Sequence, residues 1–192
     1  LATTKEESIE RADALHALLV DLLDYGASAQ NYKNYKTDEL VNRGVSDSDE
    51  FDASIVESVK ASTAPVGDSG AKFVGATVRF DNVNSLRFDF TIGNASLSDI
   101  SVVIGGITYS ADDFTINSTG KYSVYSDGIS AVKFGSAVVA ELRIGDEVVH
   151  SVTYSVNSYV KSMYASESMG DLAVATYFYG EAAKAYVSAF SE

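Results

Sequence analysis

The chain predicts an α+β fold: an antiparallel β-sandwich whose N- and C-terminal helices pack against each other beside it. Three observations carry this expectation. Apolar residues recur at helical spacing from Thr4 to about Tyr35, the period changes to two from Lys72, and it returns to helical from Tyr154. With 192 residues the chain is read as a single domain, residues 1–192, with a helical part over 4–64 plus 156–190 and a sandwich part over 72–155.

The first helix places Leu15, Leu18, Leu22, Tyr25, Ala29 and Tyr32 on one stripe, and "TTKEE" supplies a Thr cap followed by acidic residues, which the helix dipole favours. "KTDELVNRG" reads as a further short helix capped by Thr37 and stopped by Gly44, and "SDSDEFDASIVESVKAS" as an acidic loop leading into a short helix or irregular segment. Alternation then sets in. "KFVGATVRF" puts Val74, Ala76, Val78 and Phe80 on one face, and "LRFDFTI" opposes Leu86, Phe88, Phe90 and Ile92 to Arg87, Asp89 and Thr91. Gly105-Gly106 and Gly145-Asp146 each read as a two-residue hairpin connection, and "DFTIN", "KYSVYS" and "AVKF" as shorter strands. "VNSYVKSMYA" makes a short helix. A last helix runs through "DLAVATYFYGEAAKAYVSAF" with Leu172, Thr176, Tyr179, Ala183, Tyr186 and Phe190 on one side.

The two long helices share a grammar, "YGASAQNY" at Tyr25 and "YGEAAKAY" at Tyr179. A glycine inside a helix costs about 0.5–1 kcal/mol relative to Ala, so Gly26 and Gly180 call for a compensating contact. Close approach of the two helices at Gly26, Ala29, Gly180 and Ala183, clasped by Tyr25, Tyr32, Tyr179 and Tyr186, is the expected structural helix contact.

"LLVDLLDYGASAQNYKNYKTDELVN" resembles a segment of the form "MLDYGAAAQxYFxYxTDxLAN" that recurs in large secreted or cell-surface proteins of gut Clostridia and related Firmicutes. The likeness continues in "IGGITY" (Ile104 to Tyr109), "YSVNSYV" (Tyr154 to Val160) and "YGEAAKAYV" (Tyr179 to Val187), so it covers nearly the whole chain. Ser28 and Lys33 depart from it, standing where the form has Ala and Phe. The resemblance implies an extracellular, modular setting near the C-terminal end of a larger protein, and it implies no catalytic residues.

Charge and composition narrow the partners. A formal charge of -13 repels nucleic acid and anionic membrane surfaces, and a chain without Cys has neither disulfides nor thiolate chemistry. No apolar run approaches the ~20 residues of a membrane-spanning helix, and "LATTKEES" lacks the pattern of a signal peptide. "GDSG" at 67–70 imitates the surroundings of a serine nucleophile, yet His16 lies inside a helix, and a Gly-rich turn is the better reading. The sequence expects no cofactor. Asp47, Asp49 and Asp52 gather oxygens that suit Ca²⁺, against the plainer reading of a solvated acidic loop. Tyr109, Tyr122 and Tyr125 are the candidates for a sugar-stacking row, and His150 reads as a hydrogen-bonded interior histidine. The expected function is a non-catalytic extracellular module for attachment, spacing or protein–protein interaction, with a protein or glycan partner at the cell surface. A carbohydrate-binding sandwich accompanying a polysaccharide-active protein is the alternative.

Overall fold

The structure is a computed structural model and describes residues 4–40 and 51–191. The chain divides into two compact units: a helical unit of Leu1–Glu57, Ser130–Gly135 and Tyr159–Glu192, and a sandwich unit of Ser58–Ile129 and Ser136–Ser158.

In the helical unit α1 spans Lys5–Lys33. Thr4 closes a capping box with Glu7, whose backbone N–H donates to Thr4 Oγ1 at 3.2 Å while Glu7 Oε2 accepts from Thr4 N at 2.6 Å. Asn34 ends the helix in the left-handed conformation, at φ 48°, which Asn tolerates better than most side chains. The "KTDEL" segment is a single 3₁₀ turn over Thr37–Glu39 instead of a helix, and residues 41–50, with Gly44, lie outside the described residues. After a second 3₁₀ turn at Ala53–Ile55, Phe51 and Val56 form a small apolar cluster with Val160 and Tyr177. The long C-terminal helix, α3, spans Gly170–Phe190 and is preceded by α2 at Val156–Met163, inside which the boundary of the two units falls. The spacing predicts a one-sided stripe on α3. Its first half is instead buried all round, from Leu172 through Tyr177, as the unbroken run "LAVATY" permits.

The two long helices pack along each other. Tyr25 stacks on Tyr179 with ring centroids 5.3 Å apart, and Arg11 Nε donates to the Ala189 carbonyl at 3.0 Å with its guanidinium over the Phe190 ring. The glycines are not what brings them together. A Cβ on Gly26 would meet nothing within 4 Å, and the buried small residues of α1 are Ala27 and Ser28 rather than Ala29. Tyr32 is exposed, and Tyr186 packs on Phe190 of its own helix at 4.6 Å. Gly180 does serve a close approach, but to a loop. A Cβ there would stand 3.0 Å from Phe134 Cδ2 and 3.4 Å from the Ala131 carbonyl oxygen. Phe134 follows a 3₁₀ turn, Ala131–Lys133, so "AVKF" is no strand and its phenyl ring belongs to the helical unit.

The sandwich unit holds nine short strands among the described residues: β1 Ala61–Ser62, β2 Lys72–Phe80, β3 Asn84–Thr91, β4 Ile100–Ile104, β5 Ile107–Tyr109, β6 Thr115–Ile116, β7 Tyr122–Tyr125, β8 Val138–Ile144 and β9 Glu147–Tyr154. They form two antiparallel sheets, in the orders β1-β9-β8-β4-β5 and β2-β3-β7-β6. Leu86, Phe88 and Phe90 of one sheet and Ile100, Val102, Ile104, Ala140 and Leu142 of the other are buried, as the alternation requires. Both hairpins close on the expected pairs. Gly105 and Gly106 each adopt positive φ between Ile104 and Ile107, and Gly145 does so between Ile144 and Glu147. A bulge opposite Leu142 and Arg143 turns both Val149 and His150 inward and leaves Val148 exposed, which breaks the simple alternation read from the sequence around His150.

Candidate functional site

The sandwich unit has an open groove of about 610 Å³ between the edge strand of each sheet, with walls from Lys60–Ser62, Phe73–Ala76 and Val152–Tyr154. Among the described residues β2 pairs with β3 alone, and Phe73–Ala76 of its other side line this groove. Four of the ten lining residues are small, Ala61, Ser62, Gly75 and Ala76, while Phe73 and Tyr154 are almost wholly buried. A bulge between Phe73 and Gly75, together with exposed Lys72 and Arg79, blunts this edge against indiscriminate strand pairing.

His150 stitches the two sheets together at the groove. The Phe73 backbone N–H donates to His150 Nδ1 at 2.9 Å, and the Phe73 and His150 rings lie 5.7 Å apart. On the other side of the ring, His150 Nε2 stands 3.0 Å from both the Thr63 carbonyl oxygen and Ser62 Oγ. A serine and a histidine at this distance invite a nucleophile-and-base reading. The hydrogen-bond pattern contradicts it. Nδ1 accepts and so bears no hydrogen, which puts the ring hydrogen on Nε2, where the Thr63 carbonyl accepts it. An imidazole in that tautomer has no lone pair to take the Ser62 proton. The position an orienting carboxylate would occupy is filled by a peptide N–H. The pair therefore holds β1, β2 and β9 in register and does not activate a hydroxyl.

The three candidate tyrosines do not form one row. Tyr122 shares the core face of β7 with Val124 and stacks on buried Phe90 at 5.6 Å. Three residues on, Tyr125 points to the opposite face, with the Arg79 guanidinium 4.8 Å above its ring. Tyr109 lies in the other sheet, directly opposite Val102 on the core face, and its hydroxyl donates to Asp127 Oδ1 at 3.3 Å. Burial, helped by the neighbouring Asp127 charge, pushes the Tyr109 phenol above its ordinary value. A period-two strand cannot present Tyr122 and Tyr125 together, because their spacing of three puts them on opposite faces.

Asp47 and Asp49 lie outside the described residues. Asp52 spends its carboxylate on a local turn, accepting from the Ser54 backbone N–H at 2.9 Å, and the hydrogen bonds from Ser54 hold its carboxyl below the usual range. No group of three His, Asp or Glu residues able to hold a metal ion occurs among the described residues. "GDSG" is the expected turn: the Ser69 hydroxyl accepts from Ala71 N at 3.2 Å, and the Ser69 carbonyl sits so close to Gly93 that a Cβ there would come within 1.8 Å of it. On the outer face of the four-stranded sheet, Asp89 joins Arg87 Nη2 at 3.1 Å to Ser123 Oγ at 2.6 Å, a cross-strand brace that residue types alone did not single out.

The fold and the groove together define an α+β protein with a helical unit and a two-sheet β-sandwich unit. No family model, no curated protein and no solved structure matches the chain at a significant level. No helix among the described residues is long and apolar enough to cross a membrane.

Proposed function

We propose that this chain is a non-catalytic interaction module of a secreted or cell-surface bacterial protein, and that it takes up an extended polypeptide along the groove beside β2. The observation that carries the reading is the groove itself, into which β2 presents Phe73–Ala76 of an edge that pairs with no strand among the described residues and whose Phe73 N–H is taken by His150. Main-chain N–H and C=O groups at such an edge bind another main chain, and small flanking residues leave room for its side chains. The Ser62–His150 pair supports a non-catalytic role, because its tautomer leaves no base beside the hydroxyl. The separation of Tyr109, Tyr122 and Tyr125 onto different sheets and faces weighs against the sugar-stacking alternative. The resemblance to modules of large secreted Firmicutes proteins supports the extracellular setting.

A displayed peptide library, selected on the immobilised protein, provides the test. Ala61→Arg and Val74→Lys both alter exposed positions on the groove wall, so they leave the core intact. Each is expected to weaken a selected peptide by about tenfold, ~1.4 kcal/mol. Peptides that bind the variants as well as the parent would overturn the groove assignment, and binding on a glycan array in place of peptide binding would favour the carbohydrate reading. Protease accessibility of the parent protein on intact native cells tests the location, and protection there would refute it.

A further inference from the structure

The free side of α1 carries a pattern that its packing on α3 does not use. Ser8, Ala12, Leu15, Leu19, Leu22, Gly26, Ala29 and Lys33 follow one another at alternating steps of four and three, the 3.5-residue repeat of a coiled-coil seam. The seam is open to solvent. Leu15 is 41% exposed, Leu19 50% and Leu22 41%, with Leu23 at 59% and Ile9 at 51% beside them. The flanking positions on that side are Ile9, His16, Leu23 and Gln30, where a solvated helix would carry Glu and Lys. Between Ser8 and Gln30 the charges of α1 sit elsewhere, at Glu10, Arg11, Asp13, Asp21 and Asp24.

We propose that this seam pairs with the same seam of a second copy of the chain, antiparallel, in the register that matches Leu19 to Leu22 at the centre. That register uses each feature of the helix. Leu15 of one copy meets Gly26 of the other, where the absent side chain leaves room for the leucine, and Ala12 meets Ala29. Gly26 has nothing within 4 Å of its Cβ position, so the protein's own fold does not account for it. At the ends, Lys33 of one copy comes beside Glu6 and Glu7 in the first turn of the other, opposite charges that parallel pairing would separate. The seam is about 39 Å long, and a helix pair of that length covers on the order of 800 Å² in total. That is the size of a weak, reversible contact. This inference stands apart from the groove, and either can fail without the other.

Sedimentation velocity of the full chain from about 1 µM to about 500 µM reads it out. A concentration-dependent shift from monomer to dimer is expected, abolished by Leu19→Glu with Leu22→Glu, which sets like charges opposite each other across the seam, while far-UV circular dichroism stays unchanged because both side chains are exposed. The chain has no cysteine, so single cysteines report the register. Ala12→Cys mixed with Ala29→Cys is expected to cross-link far faster than Ala12→Cys with itself. A chain monomeric throughout that range, or one whose dimer survives the double charge substitution, overturns the seam as a self-association surface. Preferential self-cross-linking of Ala12→Cys overturns the antiparallel register.

Discussion

The two glycines in matching sequence settings should respond oppositely when a side chain is added. At Gly26 an added methyl meets open space, so Gly26→Ala gains helix propensity and loses unfolded-chain entropy, a stabilisation of about 0.5–1 kcal/mol. At Gly180 the first carbon alone would stand 3.0 Å from Phe134 Cδ2 and 3.3 Å from Phe134 Cβ, where carbon atoms rest at about 3.5–4.0 Å. Phe134 has little freedom to retreat, being 1% exposed and packed against Tyr179 at 6.2 Å. The other neighbour is backbone, the Ala131 carbonyl. Gly180→Leu therefore forces the loop away from the helix, an overpacking cost of about 3 kcal/mol offset by ~1 kcal/mol of propensity, for a net loss near 2 kcal/mol. Urea unfolding followed by far-UV circular dichroism, on protein dilute enough to be monomeric, measures both. Adding Phe134→Ala to Gly180→Leu should cost less than the separate losses sum to, because the truncated ring vacates the space the leucine needs. If Gly180→Leu proves as stable as the parent, or the two losses simply add, the close approach to Phe134 is not what holds the glycine in place.

Replacing His150 by Phe should leave the Phe73 N–H buried without an acceptor and cost about 1–3 kcal/mol, with amide exchange at Phe73 accelerated; unchanged exchange there would refute the stitching role. Asp21, partly buried on α1 and close to Asp24, has its carboxyl raised above the usual range, by burial first and the Asp24 charge second. A raised folded value means the charged form is disfavoured on folding, so the destabilisation is present above that value and is relieved as the pH falls through it. Asp21→Asn should accordingly stabilise the protein at neutral pH, with the gain vanishing in thermal melts below the carboxylate range; a gain that persists in acid would point to a cause other than charge.

How much of the site was legible in the sequence differs from residue to residue. Tyr25 and Tyr179 were readable as members of one helix contact because the same Tyr-Gly grammar stands in a long helix near each end. Gly26 and Gly180 looked equivalent because the local grammar is the same. What separates them is Phe134, far from both in sequence and supplied by a segment that reads as strand. Asp52 caps its own turn, as acidic loop residues commonly do, and that competing use was visible in the spacing to Ser54. The groove was not legible at all. It arises where the edges of two sheets fail to meet, and its residues come from three stretches that are unremarkable one by one.

The sequence by itself determined the two long helices, the main strands, the Thr4 cap and the two hairpin connections, since periodicity, the Thr4–Glu7 box and the positive-φ glycines are settled within a few residues of chain. Only the tertiary structure decided that the chain forms two units, that one short loop is claimed by the helical unit, and that His150 faces inward past a bulge. It also decided which stripe of α1 α3 covers and which it leaves open. Those outcomes depend on contacts between residues far apart in the chain, and a hydrophobic pattern states that a face must be buried without stating against what.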